Sequence, residues 1–166
     1  SMINSILVNT DLTKTNLTNT ILTGADLTDT ILTNVDLTNK DLTNSIFVGS
    51  TLTDVKLIKV TAINSNFSSV VMTNVDITQS DFSNSTFSYS IISNLRSLGV
   101  IMINSNLSYS QIFDSNLQGT HLINSNLSNV KFIDSNLSGV VFTGSNMINI
   151  VFDNTIIPNS NFKSVV

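Results

Sequence analysis

The sequence predicts an all-β solenoid, a single domain whose chain turns a corner every five residues and stacks coil upon coil. Three observations carry that reading. A large apolar residue recurs every five positions from Met2 to Phe162, a small one recurs two positions before it, and turn-tolerant residues recur two positions after it.

The apolar series comes first. Of its 33 centres, 31 are Leu, Ile, Phe or Met, and Ala62 and Ser97 are the exceptions. Neither regular element accommodates a period of five. On a helix five residues rotate the chain by about 500°, which spreads the centres around every side. On a strand an odd step flips each centre to the opposite face. The small series runs from Ser5 to Val165, and 30 of its 33 positions are Ser, Thr, Ala or Val, with Lys40, Leu95 and Ile150 outside it. Two residues apart on a short extended segment, centre and small residue share one face and point inward, while the residues flanking the centre point outward. The corner series holds Asn19, Gly24, Asp29, Asn34, Gly139 and Gly144, residue types that tolerate turn conformations. Short segments, inward alternation and regular corners define a solenoid. The register never slips, so one domain spans residues 1–166.

Composition agrees. With 166 residues, 41% apolar and only 11% charged, the chain can bury a sizeable core and lacks the charge of a disordered segment. All eleven acids are Asp, and Trp and Cys are absent. Abundant Asp, Asn, Ser and Thr undercut helices by competing for backbone hydrogen bonds. Without Cys there are no disulfides or thiolate metal sites. A net charge of −4 disfavours direct nucleic-acid binding. No apolar run of about 18 residues predicts a membrane-spanning helix, and no leader is visible at the N-terminus. The repeat generates Asn-x-Ser/Thr triplets at Asn16, Asn66, Asn106, Asn126 and Asn136. A eukaryotic secretory pathway would glycosylate them, so a bacterial cytoplasm is the expected location.

The stretches "GADLT" at 24–28 and "NSNLS" at 104–108 and 124–128 resemble the (Ala/Ser/Thr)-(Asp/Asn)-(Leu/Phe)-(Ser/Thr)-x unit of pentapeptide-repeat proteins, and the resemblance covers essentially the whole chain. It implies a right-handed quadrilateral β-helix with four repeats in each coil and about eight coils. Columns spaced by one such coil fit it. Asp36, Lys56, Asp76 and Arg96 alternate in sign, Asn106, Asn126 and Asn146 line up, and Phe47, Phe67 and Phe87 stack over Ser45, Ser65, Ser85, Ser105, Ser125 and Ser145. Two irregularities stand out. Leu95 and Ser97 exchange large for small within one repeat, conserving volume. Lys40 should point inward, its stem filling the space beside Ala62 and its amine paired or escaping.

Nothing in the sequence predicts catalysis, a cofactor or a metal. The one His, His121, lies in an outward column with Ile101 and Val141. No nucleophile–base–orienter set, phosphate loop, zinc spacing or EF-hand loop is present. Asp29, Asp54, Asp114 and Asp134 fall on corners, where an Asp caps a turn.

The outer surface is therefore where function is expected. Phe113 is the one Phe of nine off the inward centres, and it shares an outer face with Ile31, Val71, Ile91, Ile133 and Val151. The opposite face carries Ile21, Ile63, Ile101, Ile103, Ile123 and Val141. The leading expectation is a non-catalytic protein-binding or scaffold module, of unassigned partner, contacting it through Ile91, Phe113 and Ile133. Self-association through that apolar face, or through open terminal coils, belongs to the same expectation. The resemblance supplies a rival, because some members mimic DNA, bind DNA gyrase and protect it from quinolones. Here the rival acidic face would comprise Asp36, Asp41, Asp76 and Asp81. A rod of about 40 Å matches DNA carrying on the order of 24 charges, whereas eleven Asp are diluted by seven basic residues. Gyrase-directed members also tend to carry projecting loops, which this unbroken register does not hold. An outward Thr column (Thr13, Thr33, Thr53, Thr73) suggests ice binding only faintly, since it gives way to Ser93 and Phe113.

Overall fold

The computed structural model describes residues 1–166, and its regular elements are all short β-strands. Seven short strands follow one another in chain order: β1 (Ile31–Thr33), β2 (Thr51–Thr53), β3 (Val71–Thr73), β4 (Ile91–Ser93), β5 (Gln111–Phe113), β6 (Lys131–Ile133) and β7 (Val151–Asp153). Each pairs in parallel with the next, one full coil along the chain, as Leu32↔Leu52 and Leu52↔Met72 show. Single bridges repeat the same step on three further sides, at Asp36↔Lys56, Asp41↔Thr61 and Asp26↔Ile46. The coil is thus four-sided, and its sides are called the first (strands), second (Asp36), third (Asp41) and fourth (Asp26) faces. The first coil joins the stack only through bridges such as Ile6↔Asp26 and Asp11↔Ile31. Regular sheet therefore makes six parallel steps, fewer than the eight-coil expectation.

Corners follow from turn chemistry. At many corners the amide of the small residue bonds the carbonyl of the preceding centre, as Ser45 N does to Leu42 O at 3.0 Å, and at others it donates to a serine hydroxyl one coil on, as Val60 N does to Ser80. The residue just before the small one is left-handed, with φ of 59° at Asn44 and 58° at Asn84, and it is so also at corners without that bond, with φ of 55° at Asn34 and Asp54. A turn with positive φ at its third residue admits Asn, Asp and Gly readily and strains most others. That requirement, repeated at every corner but Asn19, is what the sequence records as its Asn/Gly/Asp column.

Inside, 36 buried apolar residues form one continuous core. Phe47, Phe67 and Phe87 stack face to face with centroids 4.6 and 5.0 Å apart, and Phe82 meets Phe67 and Phe87 edge-on. Each buried Phe contributes roughly 1.5–3 kcal/mol of apolar burial. Beside them the serine column is a hydrogen-bond relay. The Ser65, Ser85 and Ser125 hydroxyls donate to Leu42 O, Ala62 O and Met102 O at 2.6, 2.6 and 2.7 Å, and Ser65 N and Ser125 N donate to the hydroxyl one coil on. A small polar residue here satisfies carbonyls that their own corners leave without an amide donor, as at Ala62 O and Met102 O, which is why Ser is tolerated in a dry core. Leu95 and Ser97 are both buried, and the Ser97 hydroxyl meets Thr120 Oγ1 at 2.9 Å.

The Lys40 amine is paired, as an inward Lys requires: it reaches back to the preceding coil and donates to the carbonyls of Thr18 and Thr20. The ladder opens where it does so. Elsewhere each centre and corner amide donates to a carbonyl of the coil that follows, and the amide before each centre to one of the coil that precedes, as Leu57 N→Asp76 O and Asp76 N→Val55 O illustrate. The corresponding bonds from Leu17, Asn19, Leu22, Asp36 and Asp41 are missing. A long side chain in a column built for Thr, Ser and Val wedges two coils apart, and its ammonium takes the place of the lost amides as donor to Thr20.

Candidate functional site

The first face is flat, three residues wide and made of two outward columns. One column reads Ile31, Thr51, Val71, Ile91, Gln111, Lys131, Val151, and the other reads Thr33, Thr53, Thr73, Ser93, Phe113, Ile133, Asp153. The register brings Val71 against Ile91 and Phe113 against Ile133. Ile91 is the diagonal neighbour of Phe113, and Val151 of Ile133. Val71, Ile91, Phe113, Ile133 and Val151 thus form one oblique stripe, from which Thr51 separates Ile31. Ile31, Ile91 and Val151 are 47%, 48% and 42% exposed; Phe113 and Ile133 are half-buried.

Sequence reasoning missed the stripe's aromatic border. Tyr89 and Tyr109 stand on successive corners between the fourth and first faces, their rings parallel with centroids 5.0 Å apart. They are 63% and 51% exposed, and both backbones are left-handed at φ 61° and 62°. The signal was available, because these are the chain's two Tyr and they replace Asn, Asp, Gly or Ser in a corner column.

The four acids of the rival surface are not brought together. Asp36 and Asp76 lie on the second face in one column with Lys56 and Arg96, and Asp41 and Asp81 lie around a corner on the third face. The reason is the period itself, since five residues turn the chain onto the next side. Lys56 approaches Asp36 at 3.8 Å and Arg96 approaches Asp76 at 3.6 Å, exposed pairs of small energetic weight that nonetheless cancel the column's charge. Each carboxylate also accepts the amide two residues on: Thr38 N→Asp36, Thr43 N→Asp41, Thr78 N→Asp76 and Ser83 N→Asp81, all at 2.9 Å. Hydrogen bonds from Thr38 and Thr43 hold the Asp36 and Asp41 carboxyls below the usual range. These acids build local turns.

Acids of the later coils are placed differently. A groove of about 350 Å³ runs along the corner between the first and second faces, beside Phe113 and Ile133, and is lined by Asp114, Asn116, Asp134, Asn136 and Asn154 among others. Asp134 accepts the Asn154 amide at 2.6 Å, while the Asp114 carboxylate meets no donor of this chain. His121 lies exposed on the third face between Ile101 and Val141. No group of three or more His or Asp side chains is arranged to hold a metal ion, and no helix is long and apolar enough to cross a membrane.

A parallel four-sided solenoid is the class these features define. The family model for pentapeptide repeats matches eight copies, over residues 1–34, 50–88, 110–147 and 135–165. The chain belongs to the pentapeptide-repeat family. Solved structures similar to it include HetL, a pentapeptide repeat protein involved in heterocyst differentiation regulation from the cyanobacterium Nostoc sp. strain PCC 7120. It shows 15% identity and a TM-score of 0.36 over 99% of this chain and 89% of that one. The plasmid-mediated fluoroquinolone resistance protein QnrB1 shows 15% identity and a TM-score of 0.33 over 96% and 88%. A pentapeptide repeat protein of the Arabidopsis thaliana thylakoid lumen shows 20% and 0.25 over 74% and 65%. No curated protein matches the chain in sequence.

Proposed function

We propose that this protein is a non-catalytic binding module that docks a protein partner on its first face, around Ile91, Phe113 and Ile133. One observation carries the reading: an apolar stripe, bordered by two exposed tyrosines, runs across a rigid flat sheet that its own packing does not need covered. Aromatic and aliphatic anchors inside a polar rim are the anatomy of a protein interface. Site-specific photo-crosslinking tests it. A Phe113→benzoylphenylalanine variant, irradiated in a bacterial extract, should yield discrete covalent protein adducts, and His121→benzoylphenylalanine on the opposite face should yield none. Equal labelling at both positions, or none at position 113, would overturn the reading.

The rival, DNA mimicry toward gyrase, is disfavoured by the ion-paired second-face column and by the division of its four acids between two faces. Gyrase supercoiling titrated with this protein at low and high salt decides it. Salt-sensitive inhibition in the micromolar range would move the site to Asp36, Asp41, Asp76 and Asp81.

A further inference from the structure

Resting on the first face as contact surface, we infer that its occupant is an extended peptide segment in which an apolar side chain is followed closely by arginine or lysine. Across coils five to seven the surface presents three chemistries in order. The tyrosine corner comes first, then, past the Gln111 and Lys131 column, the apolar pair Phe113 and Ile133, then the groove holding Asp114 and Asp134.

None of these side chains belongs to the buried core. Tyr89 and Tyr109 sit in a left-handed column otherwise filled by Asn9, Asp29, Gly49, Ser69, Asn129 and Asn149. A bulky residue there carries backbone strain, and the two rings stack on each other while staying more than half exposed. Phe113 is the single Phe outside the core series. The two corner acids differ in their partners: Asp134 accepts the Asn154 side-chain amide, as the corner acid Asp54 accepts that of Asn74, whereas the Asp114 carboxylate accepts no hydrogen bond within the chain. The two ion pairs, Lys56–Asp36 and Arg96–Asp76, do not involve them, and neither accepts the amide two residues on as the outward acids do. Beyond Arg96 the only cations are Lys131 and Lys163, neither of them within ion-pair distance of a carboxylate.

Charge complementarity names the partner's cation. Asp114 and Asp134 stand on adjacent coils, about 4.8 Å apart along the axis, a spacing that one guanidinium fork can bridge. The tyrosine faces on the far border receive a second cation or an aliphatic side chain. An extended segment alternating the two residue types meets the stripe and the groove together, which neither an acidic nor a purely apolar segment does.

Fluorescence anisotropy tests the occupant directly, using a fluorescein-labelled peptide alternating leucine and arginine and the purified full chain. Saturable micromolar binding is expected. Citrulline in place of arginine, or the double substitution Asp114→Asn with Asp134→Asn, should each weaken it about tenfold or more. Both substitutions keep the corner backbone, because Asn tolerates the left-handed region, and circular dichroism and thermal melting verify the fold. Phe113→Ser should weaken the arginine and citrulline peptides alike. Absence of saturable binding, equal affinity for the two peptides, or an unchanged double-Asn variant would each overturn the inference. Were crosslinking at position 113 to succeed while these peptides fail, the contact surface would stand with a different occupant. If both fail, both readings fall.

Discussion

Asp36 and Asp41 in the second coil, and Asp76 and Asp81 two coils later, occupy the same columns of the same two faces, yet their backbones differ. The amides of Asp76 and Asp81 bond Val55 O and Val60 O at 3.1 and 3.0 Å, whereas those of Asp36 and Asp41 bond no carbonyl. The inward residue nearby explains it, being Ser80 in one case and Lys40 in the other. One side chain of the wrong length opens a ladder, and the corner at Asn19 beside it is the one that is not left-handed. Closure between coils is thus set by the small inward column, and the outward acids follow the backbone without determining it.

Sharpening that contrast begins with the core of the closed region. Phe67→Ala removes the middle ring of the Phe stack and should cost about 3–5 kcal/mol in denaturant unfolding. Leu17→Ala, beside the open junction, should cost about 2 kcal/mol, since a loosely bonded coil can collapse into the cavity. A smaller effect comes from the serine relay. Ser85→Ala leaves Ala62 O and Ser65 N without their partner and should cost about 1–3 kcal/mol. The hydroxyl of Ser110, buried without a hydrogen bond, is removed in Ser110→Ala at almost no cost. Equal losses for the two serines would break the relay account. Lys40→Val should close the ladder, slowing amide exchange at Asp36 and Asp41 toward the rates of Asp76 and Asp81, with a net stability change within about 1 kcal/mol. Smallest is the acid response. The folded-state carboxyls of Asp36 and Asp41 lie below their unfolded value. Their contribution is therefore present above about pH 4 and is lost as pH falls through the lowered folded values. Asp36→Asn with Asp41→Asn should flatten that acid limb in a pH series of melts.

The fold was legible because its physics is written in every repeat. A five-residue period, a small inward column and a left-handed corner leave few other architectures, and Phe47, Phe67 and Phe87 stack as their one-coil spacing requires. The ladder defect was not legible. Lys40 was recognisable as misplaced, but which groups pair its amine depends on the carbonyls within reach, here those of Thr18 and Thr20. At the surface, spacing assigned Ile91, Phe113 and Ile133 to one face, and the register joins them. Grouping the four acids failed for a different reason: positions five apart lie on neighbouring faces, so Asp36 and Asp41 point in different directions. The tyrosine border escaped notice because a corner column reads as turn chemistry, and only its exposure reveals two parallel rings.

The most direct test of the central claim sets the two surfaces against each other on one bound protein, the partner captured by crosslinking at position 113. Its retention on the immobilised solenoid is measured at about 0.5 M salt for the wild-type chain, for Phe113→Ser with Ile133→Ser, and for a variant carrying Asn at the four acids Asp36, Asp41, Asp76 and Asp81. A first-face module keeps the partner through high salt and through loss of the four acids, and releases it when Phe113 and Ile133 become serine. Retention that persists without Phe113 and Ile133, and disappears with salt or with the four acids, would contradict the account.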